Sequence, residues 1–184
     1  MNAPKRLKIR QPLNAPADFD ITDIIPVFHR WIQEQTVPGL LIDVADYKHV
    51  PQGPGILLIS DEGDYSLEQE DGGFSIVYDR KRQTGDDLGE SIRIVLATLR
   101  TALQALEAEP SLALSAEASH IELTILDRLQ YPNTLEIFDV IRNSLTESVA
   151  AIYELPHVQL SYTTTDARRP LTIQIQTEHE LAIA

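Results

Sequence analysis

Cysteine is missing from all 184 residues. That excludes disulfides, thiolate zinc sites, cysteine-ligated iron–sulfur clusters and cysteine nucleophiles. Long apolar runs are missing too, since none approaches the ~20 residues that a membrane-spanning helix needs. The opening stretch MNAPKRLKIRQPLNAPADFD begins basic but has no apolar core of a secretory signal, so the expected location is the cytoplasm. Positive charge is scarce, with 15 Lys and Arg against 28 Asp and Glu and a formal charge of −13. A balance this acidic argues against a broad electrostatic footprint for nucleic acid.

Recognisable catalytic signatures are missing as well. Gly53-Pro54-Gly55 precedes an apolar run, but no Gly-Lys-Ser/Thr element or helix follows it, so it is no phosphate loop. The five histidines, at 29, 49, 120, 157 and 179, form no His-x-x-x-His pair and no H-E-x-x-H. No serine lies in G-x-S-x-G. The acidic stretch Asp61-Glu62-Gly63-Asp64 lacks the spacing with which an EF-hand loop wraps one ion. No cofactor and no metal centre is expected.

What is present is the composition of a folded protein, 43% hydrophobic and 23% charged. Residues 1–20, with Pro4, Pro12 and Pro16 and clustered charge, read as an extended basic arm that orders against a partner. Its Lys5, Arg6, Lys8 and Arg10 would be attracted to anionic lipid, giving a weak peripheral membrane contact. Residues 21–184 read as a single α+β domain.

The order expected within that domain is α-β-β-β-β-α-β-α-β-β. A first helix carries Val27, Phe28, Trp31 and Ile32, tolerates Pro26 in its first turn and ends at Pro38-Gly39. Leu40–Ala45 and Gly55–Ser60 are β-forming runs, the second continuous enough for burial on both faces. Tyr65–Gln69 and Phe74–Asp79 form a hairpin through Glu70-Asp71-Gly72-Gly73, where glycine accepts positive φ. A helix over 86–108 is capped by Asp86 or Asp87 with Glu90 closing a capping box. His120–Leu126 alternates as a strand, Thr134 opens a third helix, and Val158–Thr163 with Leu171–Thr177 closes the chain as a hairpin. Adjacent hairpins imply a largely antiparallel sheet of about seven strands with three helices packed on it.

Two places can carry chemistry. Asp43, Asp46, Tyr47 and His49 lie where a strand runs into a loop, and two carboxylates, a phenol and an imidazole there can make an acid–base pair or ligand pocket. The competing reading has Asp43 and Asp46 hydrogen-bonding the turn and His49 in solvent. Arg80-Lys81-Arg82 and Arg168-Arg169 are the concentrated cations outside the arm, and would receive an anion or an acidic partner if the sheet brings them together. Otherwise they are solubilising charge.

The segment from Ile25 to Arg82, with IPVFHRWIQE, VPGLLIDVADYKHVPQGPG and FSIVYDRKR, resembles a family of uncharacterised proteins of cyanobacteria and other bacteria. The resemblance implies bacterial origin and transfers no catalytic residue. The function expected is a non-enzymatic accessory or regulatory binding protein that acts by protein–protein association, as a homodimer or with an unidentified protein partner. The alternative is a small-molecule or divalent-metal-binding enzyme or sensor with its pocket at the 43–49 loop.

Overall fold

A computed structural model describes residues 2–70, 73–83, 85–117, 120–153, 158–163 and 166–177. Its backbone is one antiparallel sheet, the expected α+β class, with three helices over it. The strands are β1 (Leu7–Asn14), β2 (Leu41–Asp46), β3 (Ile56–Ser60), β4 (Gly63–Glu70), β5 (Gly73–Arg80), β6 (Ser115–Ala116), β7 (His120–Ile125), β8 (Val158–Tyr162) and β9 (Leu171–Thr177). The helices are α1 (Ile24–Glu34), α2 (Leu88–Glu107) and α3 (Leu135–Tyr153). Across the sheet the order is β2-β3-β4-β5-β1-β7-β9-β8, with β6 beside the end of β1.

The main correction to the sequence reading is β1. Residues 7–14, read there as part of an arm, are extended but form a central strand, paired with β5 on one side and β7 and β6 on the other. Their sequence, LKIRQPLN, alternates: Leu7, Ile9, Gln11 and Leu13 are buried, while Lys8, Arg10 and Pro12 point to the other face. Proline lacks the N–H that a central strand needs. Pro12 escapes this because its carbonyl accepts from the Glu117 N–H at 2.8 Å, which aims its nitrogen at the same side, where pairing passes from β7 to β6. With β1 and the two-residue β6 the sheet has nine strands among the described residues, rather than about seven.

Both halves share one connection. The chain leaves β1, crosses through α1 to the outer strand β2, and returns through β3 and β4 to β5, beside its start. It then leaves β7, crosses through α3 to the opposite outer strand β8, and returns in β9 beside β7. Each half is thus a split β-α-β unit, and the two are joined by the antiparallel pairing of β1 with β7.

One face of the sheet carries the core. Ile9 aligns with Tyr78 of β5 and Tyr65 of β4 on one side and with Leu123 of β7 and Ile173 of β9 on the other, Leu7 aligns with Ile125 and Leu171, and Ile76 and Leu67 share the face one row along, beside Gln11. Against them pack Ile24, Phe28 and Trp31 of α1, the Ile92–Leu99–Leu106 stripe of α2, and Ile141, Leu145 and Val149 of α3. The 3-and-4 spacing of these residues is what lets each helix bury one side.

The start of α2 follows the expected chemistry. The Asp87 carboxylate accepts the Glu90 N–H at 2.9 Å, and Glu90 accepts the Asp86 N–H at 2.6 Å. Helix α1 follows a short 3₁₀ turn whose Thr22 N–H donates to Asp20 at 2.8 Å. It ends before Pro38, because Gln35 takes the left-handed conformation at φ 54°. Strand β3 buries Ile56, Leu58 and Ser60 but leaves Leu57 and Ile59 half exposed, since they lie on the face away from the helices. The Asp71-Gly72 turn residues, His157 and His179 lie outside the described residues.

Candidate functional site

The 43–49 segment forms the end of the outer strand β2 and the loop after it. Asp43 stands opposite Ile59 and Asp46 opposite Ile56 in the β2·β3 register, so the two carboxylates project from opposite faces. Each is bonded to its own backbone, Asp43 accepting the Val44 N–H at 2.8 Å and Asp46 the Lys48 N–H at 2.9 Å. His49 is exposed and lines a groove of about 580 Å³ with Lys48, Asp18, Asp20, Phe19 and Phe74. Tyr47 is exposed and faces a neighbouring groove of about 190 Å³ with Val50 and Gln69. Tyr47 and His49 therefore lie beside neighbouring grooves that share Ile21, Lys48 and Gln69, while Asp43 and Asp46 line neither. Among the described residues, no three His, Asp or Glu side chains converge to hold a metal ion.

The basic clusters do share one end of the sheet. Arg80, Leu7, Ile125 and Leu171 occupy one row across β5, β1, β7 and β9, so Arg80-Lys81-Arg82 and Arg168-Arg169 lie three strand spacings apart, roughly 14 Å. Their charges are largely engaged. Lys81 donates to Asp64 at 2.7 Å and to the Ser60 carbonyl at 2.6 Å, and Arg82 pairs with Asp61 at 2.5 Å. Arg80 donates to the Tyr78 hydroxyl at 3.2 Å, and Arg168 chelates Asp166 at 3.0 Å. Those Arg168 bonds hold the Asp166 carboxyl below its ordinary range.

The cations of the former arm build something the sequence reading did not anticipate. Lys8 and Arg10 rise from β1 on the face away from the helices and reach across β5 to β4, where Arg10 binds Glu68 and Glu70 and Lys8 binds Glu68 at 3.1 Å. Arg6 pairs with Asp79 at 2.9 Å. The Arg10 hydrogen bond is the main cause of a lowered Glu70 pKa. Spanning β5 lays the Lys8 and Arg10 stems over Val77, which is 1% exposed although it lies outside the helix-covered core. Further along the same face Gln174 donates to Glu122 at 2.6 Å and Thr124 meets Thr172 at 3.1 Å. With Arg6, Lys8 and Arg10 so committed, three of the four cations invoked for a lipid-binding arm are anchored in the sheet.

Apolar exposure gathers at the β2 edge. Leu40 is 62% exposed and Ile42 56%, and Tyr47 and Val50 follow just beyond the strand. Ile42 sits where a register irregularity between Leu41 and Asp43 interrupts the β2·β3 pairing. Next to Leu40, Glu62 accepts its N–H at 2.9 Å, which is the first cause of a Glu62 pKa below the usual carboxylate range. The β-forming run at 40–45 was legible in sequence, but its exposure was not. The same Ile-Asp-Val pattern would serve an inner strand, and only position at the rim of the sheet leaves it open. Leu129, Leu135 and Val140 are exposed on the α3 side, and Val140 borders a groove of about 350 Å³ with Arg93 and Ser144.

No helix of the described residues is long and apolar enough to cross a membrane. A scan against protein-family models and a search of curated proteins each return no match.

Proposed function

We propose that this chain is a non-enzymatic accessory or regulatory binding protein that works by protein–protein association in a bacterial cytoplasm, with the β2 edge as its contact surface. The observation that carries this reading is the exposure of Leu40, Ile42, Tyr47 and Val50 together on an outer strand and its flanks. Scattered apolar residues need no explanation, but several gathered along one outer strand and its flanks, beside an open side, form a surface that association would cover. A photo-crosslinking residue at position 42, compared with one at Ser161 on the opposite outer strand, tests it in cells. Covalent adducts specific to position 42 are expected. Equal labelling from both positions, with protein that stays monomeric at all concentrations, would remove the reading.

A second reading is favoured by one observation, the groove in which Lys48 and His49 face Asp18, Asp20 and the edge-on pair Phe19 and Phe74, whose ring centroids are 5.0 Å apart. Such a groove suits a small polar ligand with an apolar body. Thermal-shift screening of wild type against Lys48→Ala and His49→Ala, with metal analysis of chelator-free protein, decides it. Stabilisation by a ligand that both substitutions abolish supports the groove, and identical profiles with no bound metal exclude it.

A further inference from the structure

We propose that the β2 edge receives an extended segment of a different protein, in which large apolar side chains alternate with lysine or arginine. This rests on the association reading above and names its partner by chemistry.

The shape of the patch points to a strand-like occupant. Leu40 and Ile42 lie at one end of β2 and Tyr47 and Val50 beyond the other. At ~3.4 Å per residue they are spread over roughly 25 Å, the reach of an extended segment rather than of a single side chain. At the far end, Tyr47 and Val50 open onto the groove of about 190 Å³, which has room for one large apolar group. Adding a strand to an open sheet edge, with side chains supplying the selectivity, is an established mode of peptide recognition.

Charge selects what that segment carries. Asp43 and Asp46 project from the two faces of β2, and Glu62 stands beside Leu40. Lys48 is the one cation in the run from Leu40 to Val50, and the whole chain carries −13. Cationic residues between the apolar ones of the incoming segment would meet these carboxylates across the new seam.

The same carboxylates disfavour a second copy. A two-fold antiparallel pairing of β2 with itself puts side chains of the same face opposite each other, so it centres on a single residue. Centring it on Val44 brings the two Asp43 side chains to diagonal positions on one face, and centring it on Ala45 does the same for Asp46. Both of these central registers thus bring like charges into diagonal reach of each other, at a cost to the pairing. Two chains of −13 also repel before contact.

The test uses the full chain and three fluorescein-labelled peptides of about eight residues, a length that spans the patch, alternating Val with Lys, Val with Glu, or Ser with Lys. Fluorescence anisotropy reads binding. The Val/Lys peptide should bind, with the other two at least about tenfold weaker. Ile42→Ser and the pair Asp43→Asn with Asp46→Asn should each weaken Val/Lys by about fivefold or more, while Val140→Ser on α3 changes nothing. Circular dichroism checks that the variants, all at exposed positions, keep the fold. Equal binding of Ser/Lys would reduce the effect to attraction by an acidic chain and overturn the proposal, as would equal binding of Val/Glu. Concentration-dependent dimerisation that Ile42→Ser abolishes would assign the edge to a second copy, leaving association standing and this partner refuted. Failure of every peptide to bind, with no adduct from position 42, would take both readings down.

Discussion

Replacing Arg10 by methionine keeps most of the aliphatic stem over Val77 and removes the guanidinium that Glu68 and Glu70 bind. The Glu68 side chain is 7% exposed and that of Arg10 17%, so the carboxylate loses a partner where water cannot fully replace it. Breaking a buried pair costs about 3–5 kcal/mol. Lys8 stays on Glu68 at 3.1 Å and the Ser66 hydroxyl donates to it at 3.2 Å, which brings the expectation down to about 2 kcal/mol. For a chain of this size that is a fall in Tm of about 4–8 °C. Urea unfolding followed by far-ultraviolet circular dichroism gives the free energy directly. A cycle with Glu68→Gln should show a coupling of about 1 kcal/mol, with the double variant less damaged than the two single losses added together. The Glu70 pKa is lowered chiefly by its Arg10 hydrogen bond, so its contribution is present above the unfolded carboxylate value of 4.5 and fades as pH falls through the lower folded value. Arg10→Met should therefore also flatten the loss of stability on acidification below that pH. A cost under about 0.5 kcal/mol, additive with Glu68→Gln, is what a residue on a loose arm would give, and it would refute the ion network.

Other perturbations separate the same claims. Deleting residues 1–14 removes the strand between β5 and β7, and the product should be insoluble or lack a cooperative melt, whereas a soluble fragment with the parent Tm would restore the arm. Burial pushes the phenols of Tyr65, Tyr78 and Tyr153 up and that of Tyr131 to about 12. The unfolded chain ionises its tyrosines near 10.0, so stability should fall as pH rises above that value, and ultraviolet titration should show these four tyrosines ionising late, together with unfolding, rather than in one step. Gly55 has φ +64° and an added Cβ would lie 2.1 Å from the Leu67 carbonyl oxygen, so Gly55→Ala should cost about 2 kcal/mol or more in urea unfolding. An unchanged midpoint would mean that β3 enters the sheet differently.

Apolar periodicity carried the helices and most strands into view, because the signal is local. Ile92, Val95 and Leu99 bury one side of α2 whatever lies beneath, and Asp87 with Glu90 caps it through bonds three and four residues long. The same locality explains the pairing of Asp43 and Asp46 with their own backbone, already one of the two readings of that loop. Long-range placement is what it could not supply. Lys8 and Arg10 look like solvent-seeking charge until Glu68 and Glu70 arrive from sixty residues away across β5, and Pro12 looks like a strand breaker until Glu117 leaves a gap for its missing N–H.

By itself the amino-acid order determined the α+β class, the three helices and the Asp87–Glu90 cap of α2, the hairpin order of the strands, and the exclusion of thiol chemistry, since each depends on residues close together or on composition. Only the tertiary structure decided that the N-terminal segment lies at the centre of the sheet and that the 40–47 run lies at its rim. Strand order is set by how each face of the sheet is buried against helices and neighbours, and a residue's exposure follows from that order, so identical alternation makes a core strand of 7–14 and an open edge of 41–46.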